Sequence, residues 1–294
     1  MNEETKPILS MKGIDKSFPG VHALKNVDFE LGAGEICGIL GEDGAGKSTL
    51  MNVLGGVCPS DEGQIFIDGE ETHIFNTKIA ENLGISFVHQ EWSLFENLSL
   101  AMNIYIQNLP KRLGRLNKRK LEKNARVILD EVELGHCRPE QRAGELQRSE
   151  QQLVEIGRML GRNVRILILD ELTSFLSADE TQILFRVVRN IQAKGVAIIF
   201  ISRRMDEIFE ICDSVMIMQD GRRILKTGIR DISRKEFDEN LDVSRQSRPQ
   251  SILGEALQAG GLYGRIGADA TEALCSILGL DKYESGQNPP VLWY

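Results

Sequence analysis

Eight consecutive residues, Gly41-Glu42-Asp43-Gly44-Ala45-Gly46-Lys47-Ser48, fit the pattern G-x-x-x-x-G-K-[ST] in full. Glycines at these positions let successive backbone N–H groups turn inward around an anion. The start of a following helix adds unsatisfied donors and a partial positive charge. Lys47 then has the reach for the β- and γ-phosphates of a nucleotide, the Ser48 hydroxyl is a Mg²⁺ ligand, and Thr49 completes the nucleotide-binding run. The bland alternative is a glycine-rich turn with a chance lysine. The full pattern, placed between an apolar run and a helical stretch, argues against it.

A second chemical pair lies far along the chain. Asp170 and Glu171 close the apolar run Ile166-Leu167-Ile168-Leu169. Asp170 is placed to hold Mg²⁺, usually through water, and Glu171 to polarise an attacking water as general base. Acidic residues after a strand are common. The pair gains meaning from following a phosphate loop within one parallel sheet.

The elements that must position these groups are readable. Ile36 to Leu40 is an apolar strand feeding the loop, and a helix from Lys47 to about Leu54 is stopped by Gly55-Gly56. Short strands are expected at Pro7–Lys12, Val27–Leu31 and Gln64–Asp68. Residues of about 99–162 are rich in charge and helical periodicity, with Leu121, Ala125, Ile128 and Leu129 on one helix face. Ile166–Leu169 and Val196–Ile201 read as buried strands, and between them Ser177-x-x-Glu180 opens a helix that Gly195 follows. Strand, helix, strand implies a parallel sheet with a right-handed crossover. The reading is an α/β nucleotide-binding core with a helical insertion.

Composition removes several alternatives. A chain of 294 residues can bury a sizeable core, and the net charge of −8 argues against bulk nucleic-acid binding. Eight basic residues fall between Lys111 and Arg126, but no aromatic is interleaved for base stacking, so they read as a solvated face and no nucleic acid is expected. No apolar run approaches the roughly 20 residues that span a bilayer. The opening MNEETKP lacks the hydrophobic stretch of a signal peptide. Cys37, Cys58, Cys137, Cys212 and Cys275 have no metal-ligand spacing and read as buried reduced thiols of a cytosolic protein.

With these residues the chain resembles ATP-binding cassette proteins, and more narrowly the ATPases of bacterial ribose, galactose and xylose importers, over about residues 7 to 240. Phe18-Pro19-Gly20-Val21-His22-Ala23-Leu24 is similar to that subfamily's segment before the phosphate loop. The resemblance implies that Phe18 stacks on adenine; a core phenylalanine is the alternative. Phe87-Val88-His89-Gln90-Glu91 looks like the family's glutamine loop, which implies that Gln90 senses Mg²⁺ and the attacking water. Gln151 to Ile156 resembles the helix after the signature motif, and Ile211-Cys212-Asp213 and Asp220-Gly221-Arg222 match the later strands. The implied fold is a P-loop NTPase of the cassette type: a RecA-like core, an antiparallel β subdomain and a helical subdomain at about 99–162.

The departures are specific. Where the family's signature reads L-S-x-G-[QE], this chain has Leu146-Gln147-Arg148-Ser149-Glu150. Gln147, Ser149 and Glu150 are the residues implied to face the ATP held by an opposing cassette. Gln147 is longer than serine, and Ser149 adds a Cβ where backbone must approach closely. The family's switch histidine follows Ile-Ser; here Ile201-Ser202 is followed by Arg203, a permanent cation that can bind a γ-phosphate but cannot relay a proton as imidazole does. Leu172 stands where the family has proline.

Residues 1–244 form the expected cassette. The remainder, 245–294, resembles the start of a second, truncated and degenerate cassette, with Gly267-Ala268-Asp269-Ala270 lacking the glycine and basic residue of a phosphate loop. The resemblance implies an ATP- and Mg²⁺-dependent ATPase at the inner face of the cell membrane. Its partners would be transmembrane permease subunits, a second cassette and, indirectly, a sugar-binding protein. Two other readings stay open on sequence: a poorly hydrolysing regulatory cassette, and a non-transport cassette acting on ribosomes or DNA.

Overall fold

The computed structural model describes residues 6–88, 94–112, 115–162 and 164–236. The chain opens with an antiparallel pair, β1 (Leu9–Phe18) and β2 (Val21–Leu31), in which Phe18 faces Val21. Pro19 and Gly20 make the turn, and Gly20 takes φ 83°, the left-handed value such a turn requires at its second position. Both strands are longer than the expected Pro7–Lys12 and Val27–Leu31. Their register shifts three times between Met11 and Ser17, and each shift resets the in–out alternation from which a strand is read.

Next come β3 (Ile36–Leu40), buried throughout, and α1 (Lys47–Leu54), which Gly55 caps. β4 (Glu62–Ile67) and β5 (Glu70–Glu71) follow, completing a four-stranded antiparallel sheet of order β2-β1-β4-β5. α2 (Thr77–Asn82) leads to β6 (Ile85–Val88). The helical part comprises α3 (Leu100–Tyr105), a small exposed hairpin of β7 (Lys111–Arg112) and β8 (Arg115–Leu116), α4 (Lys118–Glu131) and α5 (Arg148–Leu160). The buried residues of α4 are Leu121, Ala125, Ile128 and Leu129, the face expected from their spacing. The basic residues around β7 and β8 face solvent.

β9 (Ile166–Asp170), α6 (Ala178–Gln192), β10 (Ala197–Ile201), α7 (Met205–Ile211), β11 (Ser214–Gln219) and β12 (Arg222–Gly228) finish the core. The second sheet has the order β12-β11-β3-β10-β9-β6, parallel except for the edge strand β12. Its central strands are covered on both faces, which is why they read as unbroken apolar runs. Leu167, Leu169, Ile198 and Phe200 point into one core with α4, α5 and α6. Ile166, Ile168, Ile199 and Ile201 point into another with α1 and the antiparallel sheet. Each such side chain stabilises the fold by about 1.5–3 kcal/mol of transfer free energy. Phe185 of α6 meets Phe200 edge to face at 5.9 Å between ring centres.

Of the five cysteines, Cys37, Cys137 and Cys212 are buried as expected, whereas Cys58 is only half-buried and Cys275 lies outside the described residues. The segment 245–294 and Gln90 also lie outside them.

Candidate functional site

In the parallel sheet β3, β10 and β9 are neighbours, with Ile39 and Asp170 both in register with Ile201. The phosphate loop leaves the carboxyl end of β3, Asp170 and Glu171 stand at that of β9, and Arg203 follows β10. Strands far apart in sequence therefore deliver every charged group of the site to one edge of one sheet. This is the edge at which α/β sheets bind ligands.

The loop is built on close backbone approach. A Cβ at Gly41 would sit 2.4 Å from the Met218 carbonyl, and one at Gly46 would sit 2.7 Å from that of Ala23. Gly46, with φ 98°, precedes α1 and offers no side-chain cap, so the first-turn N–H groups keep their capacity for an anion. Ala45 and Lys47 are buried, while Glu42, Asp43, Gly44 and Ser48 are exposed and Gly41 and Thr49 half-buried. The Lys47 ammonium curls across the loop, donating to the carbonyls of Gly41 at 2.6 Å and Glu42 at 2.9 Å. Burial lowers its pKa, with the nearby Glu171 and Asp43 carboxylates opposing that shift.

Glu171 takes φ 49°, the left-handed region that costs a non-glycine residue about 1–3 kcal/mol and needs surrounding structure to hold it. That structure is present. The Glu171 N–H donates to Ile201 O at 3.0 Å, and the Ser174 hydroxyl donates to Glu171 O at 2.9 Å. The twist points the carboxylate toward the turn after β10. There Arg203 donates from Nε to Glu171 Oε1 at 2.7 Å, and its two terminal nitrogens each stand 3.1 Å from a different oxygen of Asp43. One guanidinium thus joins the expected general base to the tip of the phosphate loop. Where the sequence suggested a γ-phosphate ligand, the fold seats Arg203 on its own chain's carboxylates, and they raise its pKa further.

A set of residues not singled out from sequence holds these turns together. Thr173 and Ser202 both donate hydroxyl hydrogens to Glu207 Oε2, at 2.6 and 2.5 Å, and all three residues are buried. Glu207, on α7, thereby ties the turn after β9 to the turn after β10 that carries Arg203. The only sequence cue was three polar residues beside apolar strands, which by itself specifies nothing. Leu172, in place of the expected proline, is buried, and its carbonyl accepts from Gln152 Nε2 of α5 at 2.7 Å.

The signature residues are engaged within the chain. Gln147 precedes α5, and its N–H donates to Glu150 Oε2 at 3.0 Å; Glu150 Oε1 lies 2.9 Å from His136 Nε2. The Ser149 hydroxyl lies near Glu180, which takes its hydrogen bonds from Ser177, and these neighbours lower the Glu180 pKa. Glu180 closes the capping box of α6, so Ser149 at the start of α5 neighbours the start of α6. Phe18 is 43% exposed, which rules out the core alternative. Lys16 Nζ lies 5.5 Å from its ring centre and pairs with Asp61 at 2.7 Å. An exposed ring beside the hairpin turn is available for stacking.

Residues 24–174 match the ABC transporter family. The chain belongs to that family. It is 38% identical over 315 aligned residues to the ribose import ATP-binding protein RbsA of Clostridium perfringens, covering 98% of this chain and 62% of that protein. It is 46% identical over 230 residues to ribose import ATP-binding protein RbsA 2 of Agrobacterium fabrum, covering 78% of this chain and 45% of that one. The chain thus spans between about half and three-fifths of the length of these relatives. A solved nucleotide-free ATP-binding cassette from an ABC transporter superposes with a TM-score of 0.68 at 25% identity, covering 80% of this chain and 95% of that one. The α/β cassette fold and the resemblance to sugar-importer ATPases are both borne out. Among the described residues of this cassette, no helix is long and apolar enough to cross a membrane.

Proposed function

We propose that this cassette binds MgATP at the edge formed by β3, β10 and β9, hydrolyses it, and thereby powers import of a ribose-, galactose- or xylose-like carbohydrate. The observation that carries the reading is the convergence of the complete phosphate loop, Asp170, Glu171 and Arg203 on one sheet edge. Gly41 to Gly46 would wrap the phosphates with backbone N–H groups, and Lys47 would leave the loop carbonyls for the β- and γ-phosphates. Ser48 and Asp170, with Gln90, would hold Mg²⁺, which neutralises developing charge on the transferred phosphoryl group. Phe18 would stack on adenine. Glu171, once free of Arg203, would accept the proton of the attacking water.

The release of Glu171 is energetically reasonable. The Arg203 side chain is 59% exposed but that of Glu171 only 14%, so the pair is partly screened by solvent and contributes on the order of 1 kcal/mol. Charge-assisted hydrogen bonds to a nucleotide anion contribute about 1.5–3 kcal/mol each. A γ-phosphate that accepts more than one such bond would be the stronger partner for the Arg203 guanidinium, and binding ATP would draw Arg203 away from Glu171 and Asp43.

Two cassettes would enclose two ATP molecules, each between a phosphate loop and the opposing Gln147, Ser149 and Glu150. Closure would drive transmembrane permease subunits supplied with sugar by a binding protein. This arrangement sets the cassette peripherally on the inner face of the membrane. The segment 245–294 would be the beginning of a second cassette-like segment without a working phosphate loop; the alignment with RbsA of Clostridium perfringens, over 98% of this chain, runs into it. The names of the relatives favour import over the regulatory and non-transport readings. Phosphate release by purified protein with MgATP, compared with Glu171→Gln, tests the assignment; equal rates in the two would refute it.

A further inference from the structure

A second cluster of chemically active side chains lies on the signature side of the molecule. His136, Cys137 and Glu150 bring a nitrogen, a sulfur and an oxygen donor together, all three ligand atoms within 4.8 Å of one another. The first two sit in the turn after α4 and the third in the first turn of α5. His136 Nε2 and Glu150 Oε1 are already 2.9 Å apart. The other Glu150 oxygen accepts the Gln147 N–H, an outer hydrogen bond of the kind that orients metal-binding carboxylates. His136 is exposed and Cys137 buried, so an ion would enter from the imidazole side. A cavity of about 100 Å³ adjoins the cluster, lined by His136, Glu150, Glu133 and Glu180 among others. The rest of its wall is largely apolar; Glu133 is paired with Arg186 and Glu180 with Ser177, which leaves Glu150 and His136 as the ionisable groups an entering cation would meet.

We infer that His136, Cys137 and Glu150 form a site for a zinc-like divalent cation, with a fourth position open to water. The donor set makes the choice: imidazole, thiolate and carboxylate suit zinc, whereas Mg²⁺ takes oxygen ligands in an octahedron. Bonds of about 2.0–2.3 Å to a tetrahedral ion would require side-chain rotation that opens the imidazole–carboxylate pair slightly and draws the thiol in. The Cys137 thiol gives its proton to solvent as the sulfur–metal bond forms. The ion would staple the turn after α4 to the turn that carries Gln147, Ser149 and Glu150. Metal occupancy would then govern how that helix start meets the opposing nucleotide; this consequence rests on the proposed function, while the site itself does not.

Titration of the full chain with Co²⁺, without nucleotide, tests the site. The expected result is a saturable band from thiolate-to-cobalt charge transfer at one ion per chain, with the strong visible bands of four-coordinate cobalt, reversed by Zn²⁺. Cys137→Ser should abolish the charge-transfer band. His136→Gln, on the surface, should weaken binding by at least about 10-fold, the scale on which even outer partners of metal ligands act. Cys58→Ser and Lys47→Ala should keep the band, the latter separating this site from the nucleotide site. No saturable band in the wild type, or an unchanged band in Cys137→Ser and an unchanged midpoint in His136→Gln, overturns the inference in favour of a simple histidine–glutamate hydrogen bond at the helix start.

Discussion

Arg203 Nε stands 2.7 Å from Glu171 Oε1, so the residue that replaces the family's switch histidine is hydrogen-bonded to the carboxylate expected to act as general base. The same guanidinium grips Asp43 in the phosphate loop. Arg203 therefore has two successive partners in the proposed cycle, Glu171 before ATP and the γ-phosphate after it. With Arg203 exposed and Glu171 half-buried, the pair is worth on the order of 1 kcal/mol, so freeing Glu171 alone changes turnover by less than about 10-fold. Arg203→His should raise phosphate release within that limit. The triple change Gln147→Ser, Ser149→Gly and Arg203→His should raise it by about 10²–10³, taking loss of one oxyanion donor as the scale. Steady-state turnover of the two variants side by side checks the ordering; a triple variant no faster than the wild type would show the departures to be harmless.

Glu171→Gln should eliminate turnover while leaving ATP affinity within about 3-fold. The neutral amide still accepts from Arg203 but cannot take a proton from water. Single-turnover phosphate release together with a binding isotherm separates the two effects. Retained turnover would remove Glu171 from the role of base.

Gly44 and Gly46 both have positive φ, yet they should respond differently to alanine. A Cβ at Gly44 meets nothing within 4 Å, so Gly44→Ala carries only backbone strain, about 1–2 kcal/mol. A Cβ at Gly46 would press on the Ala23 carbonyl at 2.7 Å, and either the loop or β2 must move. Urea unfolding should therefore place Gly46→Ala below Gly44→Ala, and Gly46→Ala should lose ATP binding as well. Equal midpoints and equal affinities would mean that the loop is not held against Ala23 as described.

How far the sequence discloses this arrangement depends on the range of the forces involved. β3 and α1 are legible to the residue because an apolar run, a glycine loop and a helix start are all local signals. The capping box at Ser177 and Glu180 is local in the same way. β1 and β2 are only half legible, since three register shifts break their alternation. The phosphate loop and Asp170–Glu171 were identifiable as chemistry. The left-handed twist of Glu171, its bond to Arg203 and the Glu207 anchor were not, because each depends on β9 and β10 lying side by side. The proximity of Ser149 to Glu180 is likewise tertiary: thirty-one positions separate the two, and neither predicts the other.

Removal of residues 245–294 should leave one ATP bound per chain. If 245–294 is the cassette-like segment proposed above, Asp269 would put a negative charge where a second phosphate loop needs a positive one, and no second nucleotide site is expected. Calorimetric stoichiometry of the intact and shortened chains checks this; two sites in the intact chain would contradict it.

The most direct measurement is the affinity of the full chain for a fluorescent ATP analogue with Mg²⁺, before and after Lys47→Ala. The account predicts saturable binding to the wild type. In the variant, loss of a charge-assisted contact of about 1.5–3 kcal/mol should weaken binding by about 10- to 100-fold. Equal affinity in the two proteins, or no saturable binding to the wild type, would contradict the assignment of Gly41–Ser48 as the nucleotide site.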